Sequence, residues 1–307
     1  MKVLVVCSRN SGNIAPFITE QVEALNRNGI QTDYFTIEQK GLVGYLKSRT
    51  DLIKKIEAFH PEIIHAHYGL SGLLANLQRQ VPVVTTYHGS DINNGKAFHF
   101  SKQSICLSRH NIFVSQKNII KAKVEDEFSL IPCGVDIDLF APMDKTACRK
   151  QLNLSSDKKY ILFAGAFENT VKNASLAQYA TDRLYNVQLL ELKGYPRDEV
   201  AKLINAADVC LMTSFTEGSP QFIKEAMACN CPIVTTNVGD VKEVIGNTEG
   251  CFVCETYDVN DVAENLRLTL QFGKRTNGRE RIEKLGLDSS SISMKLTNIY
   301  KQIANPD

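Results

Sequence analysis

Glu217 and Glu225 lie eight positions apart in the segment Ser214-Phe-Thr-Glu-Gly-Ser-Pro-Gln-Phe-Ile-Lys-Glu225, the stretch of this 307-residue chain richest in groups that could do chemistry. The apolar run Val209–Thr213 before it reads as a strand, and Gln221–Ala228 within it reads as a helix. Gly218 permits an unusual backbone angle or the close approach of a ligand. Pro220 suits a position just inside a helix start, which leaves the N–H groups of Gln221 and Phe222 pointing out of the helix end. A helix end of that kind favours an anion, above all a phosphate. A carboxylate about a turn further in, as Glu225 would be, can accept hydrogen bonds from vicinal hydroxyls such as those of a ribose. Together these features describe a cradle for a nucleotide-diphosphate sugar.

The elements that must hold this cradle alternate along the chain. Strand-like runs at Val3–Cys7, Thr32–Ile37, Ile63–Ala66, Val81–Tyr87, Asn111–Ser115 and Phe128–Pro132 are separated by helical patterns at Phe17–Asn28, about Leu52–Phe59 and near Leu70–Gln80. CGVDIDLFAP, residues 133–142, lacks periodicity and reads as a linker. The alternation then restarts with strands at Tyr160–Ala164, Val187–Leu192, Val209–Thr213, Pro232–Thr236 and Cys251–Val253. Helices are expected near Ala174–Leu184, at Asp198–Ala206, Gln221–Ala228 and Val259–Phe272, and at about Ser291–Ile303. Strand–helix alternation implies crossover connections and parallel sheets covered on both faces. The expected architecture is α/β with two Rossmann-like domains facing a central cleft, since ligands of open α/β sheets bind at the carboxyl ends of the strands. We expect a first domain over 1–143, a second over 144–284, and a last helix at about 285–305 that crosses back to the first.

Composition narrows the function classes. Lys and Arg number 35 against 34 Asp and Glu, and the charge is balanced locally, with 16 basic and 14 acidic residues in 1–145 and 19 and 20 in the remainder. A protein built chiefly to grip nucleic acid needs a strong basic footprint, so no nucleic-acid partner is expected. No apolar run reaches the length of a membrane span, and MKVLVVCSRN reads as a buried first strand rather than a signal peptide. Nine cysteines, scattered and odd in number, fit a reducing cytoplasm. Cys229, Cys231, Cys251 and Cys254 have a spacing that zinc could use, but they fall on or beside short apolar strands, and burial is the expected reason for them.

The segment around Glu217 and Glu225 resembles the E-x7-E signature of the group 1 glycosyl transferases, glycosyltransferase family 4, which are retaining enzymes of GT-B fold. Other pieces match in order. ILFAG with Lys172-Asn173 resembles the first strand and phosphate loop of that family's C-terminal domain. LINAADVCLMTSFTEGSP and PIVTTNVGDVKEVIG resemble its later strands and loops. IIHAHYG, VVTTYHGSD and LIPCGVDIDLF resemble its N-terminal strands and interdomain linker. The resemblance implies that Glu225 binds the ribose of the donor and that Glu217 meets the transferred sugar. It implies that Gly218, Ser219, Pro220, Gln221 and Phe222 offer backbone to the sugar and phosphates, with Gly165 in the phosphate loop and Lys172 neutralising the departing diphosphate. His88 would lie near the anomeric carbon, and Gly12 in the first loop would let phosphate or acceptor come close. Asp208 and Ser214 would hold the fold.

One departure from the family stands out. An Arg usual just after the strand-ending Gly is absent, and Ala166 and Phe167 follow Gly165 here. On residue type alone, Glu217 and Glu225 could be solvated charges and Lys172 a surface lysine. His88 could merely precede a helix capped by Ser90 or Asp91, and His65 and His67 at a strand end could be structural or touch an acceptor. Lys47, Arg49, Lys54 and Lys55, with Tyr45 and Leu46, could approach anionic lipid headgroups or form a solvated helix face. The expected function is transfer of a sugar from a UDP- or GDP-sugar to a hydroxyl of a glycan or lipid-linked saccharide. It would proceed in the cytoplasm, with retention, without a metal or other cofactor, and with peripheral membrane contact left open. The alternatives are a non-catalytic nucleotide-sugar-binding module and a sugar-nucleotide epimerase of the same fold.

Overall fold

The computed structural model describes residues 1–10, 12–39 and 41–305. The chain divides into two compact units, Met1–Gly134 with Ser289–Asp307, and Val135–Asp288. The first carries β1 (Lys2–Ser8), β2 (Gln31–Ile37), β3 (Ile63–His67), β4 (Val83–Tyr87), β5 (His110–Phe113) and β6 (Phe128–Leu130), in the order β2-β1-β3-β4-β5-β6. Every pairing is parallel. Runs such as VLVVC are apolar on successive residues because both faces of a parallel sheet are covered. Val3, Ile63, Val84 and Ile112 pack on one face with Leu25 and the closing helix, while Leu4, Val6, Ile64 and Val83 pack on the other with Leu52, Ile56 and Leu74.

The second unit carries β7 (Lys159–Phe163), β8 (Val187–Glu191), β9 (Val209–Met212), β10 (Ile233–Thr236) and β11 (Cys251–Cys254), in the order β11-β10-β9-β7-β8, again all parallel. Leu162, Cys210 and Ile233 face the helices Arg197–Ala206 and Gln221–Ala228. Ile161, Phe163, Leu211 and Val234 face Ala174–Thr181 and Val259–Phe272. The cysteines fall within this packing: Cys210, Cys229, Cys231 and Cys254 are buried, and burial pushes the Cys251 and Cys254 thiols up to about 12. Among the described residues, no group of three or more His, Cys, Asp or Glu is arranged to hold a metal ion. No helix among them is long and apolar enough to cross a membrane.

The unit boundaries differ from the expectation of 143 and about 285. The presumed linker joins the second unit from Val135 on, because Val135 and Phe140 are fully buried in its core. The Val135 N–H donates to Leu287 O at 2.9 Å, and the Arg279 guanidinium donates to Ile137 O at 2.8 Å. The closing helix begins at Ser289, not near 285, since the helix Gly278–Leu285 ends at Gly286 in the left-handed region and stays with the second unit. That closing helix inserts Ile292, Leu296, Ile299 and Tyr300 against the first sheet, and the Tyr300 hydroxyl meets His65 Nδ1 at 2.6 Å.

Candidate active site

In the second unit the site is built on the carboxyl ends of β7 and β9. After β9, Thr213 Oγ1 donates to Lys172 O and Asn173 O, both at 2.9 Å, and the Phe215 N–H donates to Val171 O at 2.9 Å. These bonds tie the β9 loop to the single 3-10 turn Thr170–Lys172, which Asn169 caps through the Val171 N–H. Lys172 therefore projects beside the loop, and its Nζ meets Glu217 Oε1 at 2.7 Å with each side chain about one-fifth exposed. Gly165, with φ +147°, lies against the same lysine: a Cβ there would sit 3.2 Å from Lys172 Cγ. Sequence position alone separates Gly165, Lys172 and Glu217, and the fold brings them together.

The helix Gln221–Ala228 has the expected bounds, with Pro220 as its N-cap at φ −69° rather than just inside its start. Its first-turn N–H groups point out of the helix end, as the Pro placement requires. Glu225, one turn in, is 4% exposed, and its Oε1 accepts from Arg197 Nη2 at 2.6 Å. Arg197 opens the helix Arg197–Ala206 and lies 4.7 Å over the Phe140 ring. The loop itself is braced by a turn that sequence reading passed over. Gly239 has φ +54°, and a Cβ there would collide with the Gly218 carbonyl. Ser219 Oγ bonds Asp240 Oδ2 at 2.5 Å, and the fully buried Lys224 donates to Gln221 Oε1 at 2.9 Å. Burial pushes the Asp240 carboxyl above its ordinary value, and the nearby Lys224 charge works against that shift. The Gly-Asp that follows β10 was the available signal for this brace. Arg197 gave none, because its partner is 28 residues away.

Where the family pattern has Arg, Ala166 and Phe167 form a tight turn. The Phe167 N–H donates to Glu191 Oε1 at 2.6 Å, so a carboxylate occupies that backbone position. Asp208 takes a structural place, accepting from Arg149 Nη2 and the Tyr160 N–H, each at 2.7 Å, and from Lys145. Ser214 Oγ is buried with no hydrogen-bond partner among the described residues.

In the first unit, His88 follows β4 and sits at the carboxyl edge of the sheet. Asp91 Oδ1 accepts the N–H groups of both His88 and Gly89 at 3.0 Å, while Oδ2 accepts Gly69 N–H at 3.0 Å. That clamp holds Gly89 at φ +103° and aims the His88 ring between Phe17 and Tyr68, whose ring centres lie 4.7 and 4.6 Å away. Nε2 of His88 meets His67 Nδ1 at 3.0 Å, and Nδ1 faces Cys133 Sγ at 3.5 Å. Burial, aided by the neighbouring His65 and His88, drives the His67 pKa well below its ordinary value, so His67 is neutral at pH 7. Its Nε2 has no hydrogen-bond partner among the described residues. Gly12, at φ +96°, closes the loop after β1 with its N–H on Arg9 O at 2.9 Å, and a Cβ there would meet nothing within 4 Å. The basic cluster of this unit is largely tied down: Lys55 pairs with Asp33 at 2.5 Å, Arg49 donates to Leu77 O, and Tyr45 is buried.

Two all-parallel α/β units of this order, the second carrying a charged loop before a helix start, define the GT-B class of glycosyltransferase folds. A family model described as glycosyl transferases group 1 matches residues 150–271, and one described as glycosyltransferase family 4 matches residues 2–139. The two together span most of the chain, and it belongs to this family. Among curated relatives, the putative teichuronic acid biosynthesis glycosyltransferase TuaC of Bacillus subtilis is 27% identical over 218 residues, which cover 61% of this chain and 56% of TuaC. The D-inositol 3-phosphate glycosyltransferase of Mycobacteroides abscessus is 23% identical over 294 residues, covering 78% and 66%. The chain thus spans between about half and two thirds of the length of these relatives. Among solved structures, sucrose-phosphate synthase from Thermosynechococcus elongatus matches with a TM-score of 0.86 at 20% identity, over 99% of both chains. Anabaena Alr3699/HepE in complex with UDP matches with a TM-score of 0.77 at 15% identity, over 98% of this chain and 100% of that one.

Proposed function

We propose that this protein is a retaining glycosyltransferase that moves a sugar from a UDP- or GDP-sugar to a hydroxyl of a glycan or lipid-linked saccharide. The observation that carries the reading is the convergence of Lys172, Glu217 and the start of Gln221–Ala228 at the carboxyl ends of β7 and β9. The diphosphate would seat on the helix N–H groups, where the peptide dipoles favour negative charge. Lys172 would turn from Glu217 to the phosphate as charge develops on the leaving group. At 4 Å and an effective dielectric near 20, one unit charge is worth roughly 4 kcal/mol there. Freed of its lysine, the Glu217 carboxylate can accept from hydroxyls of the transferred sugar, and Glu225 can accept from the ribose. The same reading assigns His88 to the sugar and Gly12 to phosphate or acceptor. It asks for no metal and no resident cofactor. UDP and UDP-glucose are the ligands named for the Anabaena structures, and they are the first donors to try.

Lys172→Ala tests the reading. Turnover of a donor sugar should fall by about 100-fold or more, the size expected when a group that stabilises developing charge is lost. Unfolding free energy should change by less than about 1 kcal/mol, because the pair it leaves is partly solvated. Equal loss of activity and stability would return Lys172 to a structural role. The binding-module reading draws on one specific observation, the carboxylate of Glu191 at the Phe167 N–H where a second cation would otherwise help the diphosphate leave. It predicts that nucleotide protects the protein against thermal unfolding while no donor is turned over with any acceptor. Conversion of one nucleotide sugar into another without an acceptor would instead mark an epimerase.

A further inference from the structure

At the amino-terminal edge of the second sheet, opposite the strand ends that carry Lys172 and Glu217, a cavity of about 350 Å³ opens where β7, β9 and β10 begin. Four cations line it, Lys145, Lys159, Lys274 and Arg275, against two carboxylates, Asp144 and Asp208. Neither carboxylate is spare. Asp144 Oδ1 caps the helix Lys145–Gln151 through the Ala147 N–H at 2.7 Å. Asp208 is shared among Lys145, Arg149 and Lys159, the last at 3.7 Å. Lys274 has a loose surface contact with Glu249 at 3.6 Å and lies 4.8 Å over the Phe272 ring. Arg275 donates Nη2 to Asn205 O and sets its guanidinium beside the buried Cys231 thiol, so it adds positive charge at the floor of the cavity.

We propose that this cavity binds a small phosphate monoester, at a site separate from the nucleotide-sugar cradle. The lining carries two more positive than negative charges, which a phosphate dianion matches. The volume falls at the small end of the range for small-molecule sites, roughly 300–1,000 Å³. That leaves room for a phosphate and a short polyhydroxylated body, whose hydroxyls could meet Thr269. Of the helices that contribute to the cavity, Val259–Phe272 packs on the sheet that carries the cradle and Lys145–Gln151 packs on Arg197–Ala206, so a ligand here could bias the donor unit. The assignment does not depend on the transferase reading.

Calorimetric titration of the full chain tests it, with inorganic phosphate and glycerol 3-phosphate as probes and sodium chloride holding ionic strength. One saturable site is expected for both. It should persist in Lys172→Ala and in the presence of saturating UDP, and it should weaken by about tenfold or more in Arg275→Leu and Lys159→Glu, as loss of a charge-assisted contact requires. Lys159 is half-exposed, so its variant folds even if Arg275→Leu does not. Absence of saturable binding at millimolar concentration overturns the proposal. So does binding that UDP displaces and Lys159→Glu leaves intact, which would place the phosphate in the cradle. Binding of inorganic phosphate without glycerol 3-phosphate overturns the monoester assignment.

Discussion

Glu225 illustrates how a buried carboxylate is oriented by a partner distant in the chain. Its carboxylate is almost wholly removed from solvent, and the Arg197 guanidinium both neutralises it and sets its orientation. A buried charge is tolerable only when paired, and the arginine supplies that pairing; on the proposed function, ribose hydroxyls would share it. Glu225→Ala should weaken binding of UDP or GDP by about 10- to 100-fold, the range of one or two hydrogen bonds to a charged group. Calorimetry reads this directly, and unchanged affinity would remove Glu225 from the ribose. Arg197→Ala should destabilise the second unit by about 1–3 kcal/mol in urea unfolding, since it strands a buried carboxylate. Double replacement with Glu225→Gln should recover much of that loss. If it does not, the arginine acts through its packing on Phe140 instead.

At the scale of elements, the site depends on turns whose geometry is set from a distance. The loop before Gln221–Ala228 lies against Gly239, at a left-handed φ and with no space for a side chain. Gly239→Ala should therefore cost about 1–2 kcal/mol for the backbone alone, and more as the Gly218 carbonyl is pushed aside. The measurement is paired: lower stability together with weaker nucleotide binding, because the carbonyl it displaces belongs to the loop that carries Glu217. A change in stability with unaltered binding would disconnect the brace from the cradle. The same scale explains which elements sequence reading caught. The eleven strands among the described residues each overlap an expected run; the central ones do so because a parallel strand buried on both faces needs consecutive apolar residues, while β2, β6 and β8 are only partly buried. The helix Gly95–Leu107 gave no such signal. Its buried face is Ser101 and Ser104, lying against Gly69 and Gly72 so closely that no Cβ would fit. Small polar residues at a helix contact look like surface until the partner is known.

At the scale of the molecule, the first unit buries His65, His67 and Asp91, whose protons couple to folding. Burial pushes His65 down to about 3 and His67 well below its ordinary value, so the unfolded chain binds protons there that the native state refuses. Their stabilisation is complete above about pH 6.5 and is lost as pH falls, at about 1.4 kcal/mol per pH unit for each histidine. Asp91 works in the opposite sense. Burial raises it to about 6, against the pull of its backbone N–H partners, so between about pH 4 and 6 the native state holds a proton the unfolded chain has released. Its stabilisation is greatest at low pH and declines as pH rises to 6, offsetting one histidine of the two. Stability by urea unfolding should therefore fall from pH 7 to pH 4.5 by roughly 1.4 kcal/mol per unit from these groups, and His67→Gln should flatten that slope by about the same amount. An unaltered slope in the variant would mean His67 is protonated in the native state. By itself, the sequence determined the α/β class, the two sheets and the Glu217–Glu225 segment, because apolar runs, glycines and a helix-starting proline are local signals that act within a few residues. The tertiary structure decided the rest. It placed Val135 and Phe140 in the second core, set Arg197 on Glu225 and Lys172 on Glu217, clamped His88 with Asp91, and left Arg275 beside an open cavity. Each of those joins residues distant in the chain, and burial and charge pairing act on distance in space, which only the folded chain defines.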